Sequence, residues 1–403
     1  MLTLALRNVF RQKTRTAMTL AAIIFGIAGL VLSGGFVRDI FFQLGELLIH
    51  SQSGHLQVMR AGYYEAGTRS PEKYLIDNVD SIYPLLQEIP EIDEVMARIN
   101  FSGLLNNGRS DWAIVGEGVE PDKESRLGSH LRIIAGRQLG DQDQDGIMIG
   151  QGVAQALKLA PGERVTIMLN TREGSLNSLD FEVVGIFQSF SKDFDARAVR
   201  IPLKAAHELL FNTGVNSLVV SLKRTKDTEQ VAATLKSRLS KLPVEVRTWI
   251  ELNDFYEKTV ALYDRQFGVL QFIILFMVLL SVSNSVNMSI FERLGEFGTM
   301  RALGNRSGRV LRLILTESAL LGFIGSTLGV TIGIVLALAI SAVGIPMPPP
   351  PNSNLSYTAT IRIVPAVIAA AFLVGFVATT LAALLPAARV TRTPVVDALR
   401  QNI

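Results

Sequence analysis

Cysteine is absent from all 403 residues, which excludes disulfides, thiolate metal sites and thiol nucleophiles. Histidine is almost as scarce. His50, His55, His130 and His207 stand far apart, without the spacing of a zinc site. Charged residues make up only 19% of the chain, where a soluble domain carries about a quarter. The net charge of +3 implies no general affinity for nucleic acid. No G-x-x-x-x-G-K-S/T run occurs, so the chain has no P-loop phosphate cradle. A G-x-S-x-G nucleophile motif is missing as well. Asp141, Asp143, Asp145 and Gly146 begin like an EF-hand loop, but the twelfth position is Gly152 instead of Glu. That stretch reads as a solvated acidic turn. No catalytic, metal-binding or cofactor-binding residue is predicted.

What the chain does have is apolar length, with 48% hydrophobic residues. Four runs are long enough to span a bilayer, which takes about 20 residues. They are residues 17–37, 266–288, 313–343 and 363–385. Residues 1–16 interleave Arg7, Arg11, Lys13 and Arg15 with leucines, as in a basic helix lying at a membrane surface. The first span lacks a convincing A-x-A site and is expected to stay uncleaved. Residues 38–265 contain no further span. Their Val- and Ile-rich runs and helical stretches predict an α+β domain between helices 1 and 2, with one or two subdomains. Gly, Ser and Asn over 170–180 predict a hairpin with an extended tip. Residues 344–362 form a loop holding a Pro346–Pro351 polyproline stretch, and 386–403 form a tail. Basic clusters lie before span one, between spans two and three, and after span four. Both termini and residues 289–312 are therefore expected in the cytoplasm, and the large domain outside.

The segment 289–312 is the most charged stretch of the membrane half. Ile290, Leu294, Phe297 and Met300 recur at helical spacing, and Gly304-Asn305 reads as a stop signal. In span three, Gly325, Gly329 and Gly333 stand in register, with Gly322 one turn earlier. Small residues so spaced let helices approach closely. Glu317 sits just inside the same span, either as a functional group or as a structural partner near Arg312.

The run E-R-x-x-E-F-G-x-M-R-A-L-G from Glu292 to Gly304 closely resembles the cytoplasmic loop of ABC-transporter permeases of the FtsX/MacB/LolC-LolE family. So does the opening L-A-L-R-N-V-F-R-Q-K-T-R-T. I-A-G-R-Q-L-G (Ile134–Gly140) and I-M-I-G-Q-G-V-A-Q-A-L-K-L-A-P-G-E-R-V-T-I (Ile147–Ile167) look like the MacB-type extracytoplasmic domain. L-P-A-A-R-V-T-R-T-P-V-V-D-A-L-R (Leu385–Arg400) is similar to the closing signature. The resemblance implies a membrane α-helical fold with four transmembrane helices and a large MacB-like α+β domain outside. It also implies a non-catalytic permease in a bacterial inner membrane, with ATP and Mg held by a separate ABC ATPase present in two copies. Glu292, Arg293, Glu296, Gly298, Arg301, Gly304 and Arg306 would couple to that ATPase. A second permease, the same chain or a homologous one, would complete the complex. The implied work is release of a lipid-anchored or amphipathic substrate to an acceptor outside. Efflux of a peptide, antibiotic or amphiphile with an adaptor, and FtsX-like signalling to a cell-wall hydrolase, are alternatives.

Overall fold

A computed structural model describes residues 7, 11, 13–67, 71–127, 131–171, 173–189, 191–349, 356–392 and 394. Most of the N-terminal basic segment, His130, Pro350–Pro351 and the end of the closing signature lie outside the described residues. The chain divides into two compact units. One comprises residues 1–42, 260–346 and 358–403, the other residues 43–259 and 347–357.

The first unit is helical. Its elements are α1 (Lys13–Leu48), α7 (Asp254–Glu292), α8 (Leu294–Ala302), α9 (Ser307–Val343), α10 (Pro365–Ala382) and α11 (Leu384–Arg392). Four of the described helical stretches are long and apolar enough to cross a membrane: Thr16–Ser51, Tyr256–Glu292, Ser307–Val343 and Pro365–Arg389. A helix satisfies every backbone polar group within its own segment, which lipid requires. The helices meet at a core of Ile23, Ile27 and Val31 from α1, Val278, Val282 and Val286 from α7, Val310 and Ile314 from α9, and Ala371 from α10.

Helical structure overruns the limits expected from hydropathy. Residues 38–48, expected in the α+β domain, continue α1, and residues 254–265 begin α7. Residues 307–312, expected in the charged loop, already belong to α9. Backbone hydrogen bonds extend a helix without regard to hydropathy. Lys13–Thr16 are likewise part of α1 instead of a separate surface helix. Pro346 and Met347 stand in a short strand, Ile345–Met347, where polyproline was expected.

The second unit is built on ten strands: β1 (Leu56–Arg60), β2 (Ile92–Asn106), β3 (Asp111–Val119), β4 (Arg132–Gly136), β5 (Gly146–Gly150), β6 (Arg164–Asn170), β7 (Leu176–Gln188), β8 (Ala198–Pro202), β9 (Ser217–Leu222) and β10 (Val244–Thr248). They pair in the order β10-β1-β9-β2-β3-β8-β5-β7-β4, with β6 joining β2 to β7. The pairings β2-β3-β8-β5-β7-β6-β2 therefore close a ring. The long strand β2 belongs to two cores. Residues 92–98 pair with β9, facing a core where Leu56, Val220, Leu235 of α6 (Thr228–Arg238) and Leu86 of α2 (Tyr83–Gln87) meet. Residues 98–106 pair with β3, beside a second core of Phe101, Ile147, Phe181, Val153 of α4 (Gln151–Leu157) and Leu209 of α5 (Leu203–Leu210).

Where β2 passes between the cores, four charged side chains are buried: Arg98, Glu117 on β3, Arg200 on β8 and Glu124 on α3 (Pro121–Leu127). Arg98 donates to both carboxylate oxygens of Glu124, its Nε lying 3.2 Å from Oε2. Arg200 Nε donates to Glu117 Oε2 at 2.8 Å, and its Nη1 lies 3.4 Å from Glu124 Oε1. Burial alone would raise the Glu124 carboxyl, but the two guanidiniums outweigh it and hold it below its ordinary value.

The expected extended tip over 170–180 is instead strand for half its length. β6 and β7 stay paired down to Asn170 opposite Leu176. Beyond that pair the Thr171 N–H donates to Ser175 O at 2.8 Å, and Gly174 stands at φ +86. Composition suggested a loop, but a partner strand satisfies that backbone.

Candidate functional site

α7 stops at Glu292, and Arg293 leaves helical geometry at φ −101 and ψ 11 before α8 begins. α8 is short because it is bounded at both ends. Beyond Ala302, Gly304 adopts φ +92, which a side chain would resist, and the Asn305 N–H donates back to Met300 O at 3.1 Å. The inner face of α8 is Leu294, Gly295, Phe297 and Gly298. Phe297 is 1% exposed, within the core that Val286, Ile290, Val310 and Ile314 share. The helical spacing seen in the sequence is the spacing of this buried face.

Arg293 organises the polar side. Its Nη1 and Nη2 donate to the two oxygens of Glu317 at 2.7 and 3.3 Å, a two-pronged pairing. Its Nε donates to Glu296 at 3.1 Å, and the guanidinium lies over the Phe297 ring, 5.1 Å from the centroid. Arg293 and Glu317 are nearly buried, with side chains 13% and 12% exposed. Glu317 thus has a structural partner 24 residues upstream; the expected neighbour, Arg312, is not the one the geometry selects. Glu296 is half-exposed and also accepts from Arg11 Nη1 at 2.9 Å.

The seven predicted coupling residues therefore separate. Arg293 and Glu296 join a network with Glu317 and Arg11. Gly298 is buried, Arg301 half-buried and Glu292 exposed at the end of α7. Gly304 and Arg306 face outward with Arg309, and Leu303 is 80% exposed. Arg309 Nη1 donates to Asn305 Oδ1 at 2.8 Å. Sequence reasoning did not single out Leu303. An apolar side chain just before a helix-stopping glycine is the signal that could have found it.

The glycines of α9 serve two neighbours. A Cβ on Gly325 would come 2.8 Å from Ile23, one on Gly329 2.9 Å from Ile27, and one on Gly333 3.1 Å from Val31, all on α1. Gly322 instead faces Thr379 of α10, at 3.0 Å. At Gly329 the obstacle includes the backbone of Ile24, 3.2 Å away, so rotamer changes cannot make room. Gly329→Leu is expected to force α1 and α9 apart, at a cost of about 1–3 kcal/mol or more. Yield and thermal stability of the purified protein should fall. Gly308→Leu, where a Cβ meets nothing within 4 Å, should leave both unchanged.

Two other candidate groups carry no ligand chemistry. His50 and His55, far from a zinc pattern in sequence, lie ring to ring at 5.7 Å. Both nitrogens of His55 are engaged: Nδ1 accepts from the Leu222 N–H at 3.1 Å, and Nε2 meets Thr225 Oγ1 at 3.2 Å. Burial, with His50 nearby, pushes the His55 imidazole down to about 4. Among the described residues no three metal-capable side chains converge. In the acidic turn, Asp143 is gripped by Arg137, each of its oxygens 2.6 Å from a guanidinium nitrogen.

Residues 16–238 match the family model described as the MacB-like periplasmic core domain, and residues 268–395 match the FtsX-like permease C-terminal model. The chain is 23% identical over 362 residues to an uncharacterised ABC transporter permease of Methanocaldococcus jannaschii, covering 85% of this chain and 84% of that one. It is 22% identical over 339 residues to the lipoprotein-releasing system transmembrane protein LolC of Neisseria meningitidis, covering 80% and 76%. It is 25% identical over 354 residues to the pyoverdine export ATP-binding/permease protein PvdT of Pseudomonas aeruginosa, covering 82% of this chain and 50% of PvdT.

Proposed function

Because the chain belongs to the FtsX/MacB/LolC-LolE family of ABC transporter permeases, we propose that it couples ATP hydrolysis by a separate ATPase to release of a lipid-anchored substrate from the outer leaflet of a bacterial inner membrane. The observation that carries the coupling is α8. It is wedged by Phe297 among α7, α9 and α11 and tied by Arg293 to Glu317 of α9. It turns Leu303, Arg306 and Arg309 outward. A push on that outer face is resisted by a packed core on the inner one, so load passes into two spans instead of being absorbed locally.

The basic residues around α8 support a cytoplasmic position for it and for both termini, with the α/β domain outside. A reporter active only outside the cytoplasm is expected to work when fused at Gly174 and to stay inactive at Gly304. Activity at Gly304 would invert the whole arrangement.

The substrate follows from what needs work. A lipid anchor resists withdrawal by about 0.8 kcal/mol per buried CH₂, and α7 offers exposed Leu270, Phe272, Ile273 and Phe276 as apolar surface. The purified complex in bilayers is expected, on adding ATP, to release a lipidated protein to a soluble acceptor. The unlipidated form should be unaffected. A photo-crosslinker at Leu270 should capture the acyl chain. The likeness to PvdT favours export as the second reading. If lipidated proteins are ignored while a small amphiphile stimulates ATP hydrolysis, that reading replaces the first.

A further inference from the structure

The strand order of the second unit begins at β10 and ends at β4. An open edge strand invites pairing with another chain, and a bulge discourages it. β4 is protected in this way, since its register with β7 shifts between Ile133 and Ala135. β10 has no such break and pairs evenly with β1, from Val244 opposite Arg60 to Thr248 opposite Leu56. The Ala61 N–H donates to Pro243 O and the Trp249 N–H to His55 O, both at 3.0 Å. Main-chain groups along an antiparallel strand turn alternately to its two sides. Glu245 and Arg247 therefore turn toward β1, whereas Val244, Val246 and Thr248 turn outward. The Thr248 N–H accordingly donates to the Glu251 carboxylate at 2.7 Å. The outward N–H and C=O groups of Val244 and Val246 have no hydrogen-bond partner among the described residues.

Beside this edge lies a groove of about 280 Å³, lined by Lys236 of α6, by Leu239 and Ser240 just after it, and by residues 244–247 of β10. The nearby carboxylates are already engaged. Glu245 accepts the Tyr64 N–H at 3.1 Å and pairs with Arg247, and Glu251 pairs with Lys236 at 3.3 Å besides capping Thr248. Lys241, in the turn between Ser240 and Val244, is exposed and has no partner among the described residues. The groove thus joins free main-chain donors and acceptors to an uncompensated positive charge. An extended peptide satisfies the first by adding a strand, and a carboxylate on it satisfies the second. We propose that the free edge of β10 is a docking site for an extended acidic segment of a partner protein on the outer side of the membrane, which joins the sheet beside Val244 and Val246. The proposal goes beyond the permease reading and holds whatever the complex transports.

The probe is a short fluorescent peptide of alternating valine and glutamate, with both ends blocked, titrated into the purified full-length protein and followed by anisotropy. Saturable binding is expected, at least tenfold tighter than that of the same peptide with lysine in place of glutamate. Methylating the peptide nitrogens along one edge should abolish binding, because an added strand bonds through one edge only. Val244→Pro removes an outward N–H and spares the ladder to β1, as a proline on an open edge does. It should weaken binding at least tenfold with thermal unfolding unchanged. Lys241→Glu should erase the preference for glutamate over lysine. If Val244→Pro does not accumulate, the methylated peptides test the edge on the wild-type protein. Absence of saturable binding overturns the proposal, and so does binding indifferent to methylation. A second copy of the chain in the groove would overturn it as well. That would appear as Lys241→Cys chains that crosslink to one another on oxidation and are undisturbed by the peptide. None of these outcomes touches substrate release, which is measured separately.

Discussion

Glu124→Ala is expected to destabilise the α/β domain by about 3–5 kcal/mol, the range for breaking one side of a buried ion pair. The substitution leaves Arg98 and Arg200, 3% and 2% exposed, facing one another without the carboxylate between them. Glu117 still pairs with Arg200 at 2.8 Å, so one buried positive charge is left in excess, which costs more than a lost hydrogen bond. The chain's two tryptophans, Trp112 and Trp249, both lie in this unit. Their fluorescence in a urea titration of the full-length protein therefore reports the domain directly. A pH dependence should accompany the loss. The Glu124 carboxyl is held below its ordinary value of 4.5. Its contribution is thus present above that pH and lost as pH falls through the lowered folded value, where the wild-type protein approaches the variant. Replacing Arg98, Glu117, Glu124 and Arg200 together by apolar residues of similar volume should recover most of the stability, since no charge is then stranded. An unchanged midpoint for Glu124→Ala would mean that water reaches the quartet.

Arg293→Ala is expected to uncouple the complex without dismantling it. Arg293 is turned inward, to Glu317 and Glu296, so the outer face of α8 should still bind the ATPase. Glu317 loses both prongs of its partner while remaining nearly buried. Removing one partner of a desolvated charge pair typically costs about 2–5 kcal/mol, and each 1.4 kcal/mol is about tenfold in an equilibrium. ATP-dependent release should fall at least tenfold, with pull-down of the ATPase retained. Arg293→Lys keeps the charge but loses the planar fork and should fall between. Leu303→Asp with Arg306→Glu should do the opposite and abolish pull-down. Loss of ATPase binding in Arg293→Ala would mean that the pair holds α8 itself in place. Full activity would mean that the Arg293–Glu317 pair is mechanically idle.

The four spans were legible because a charge-free run of about 20 residues matches the thickness of a bilayer and is longer than a soluble core ordinarily buries. α8 was legible because Ile290, Leu294, Phe297 and Met300 share one helical face. Pairing was not legible. Val- and Ile-rich runs identify strands such as β3 and β6, but β2 was not singled out, and nothing in the sequence foretells its meeting β6 at Leu104 and Met168, which closes the ring. Burial of charge was hidden for a similar reason. In sequence, Arg98, Glu117, Glu124 and Arg200 look like any surface residues. Only the fold brings residues 83 positions apart to 2.8 Å. The Arg293–Glu317 pair was missed because Arg312 is nearer in sequence, although a helix turned back on another brings distant residues together.

The first strand of the α/β domain pairs with its last, Leu56 opposite Thr248. Closing so long a loop is entropically costly, and a sheet with such pairings forms slowly. During synthesis the domain cannot complete its sheet until β10 has emerged, only a few residues before α7 begins. Nearly two hundred residues separate these partners, and until β10 arrives β1 keeps an unpaired edge exposed to aggregation. Completion of the sheet is thus paced by arrival of β10, and chaperone demand should fall on the interval just before it.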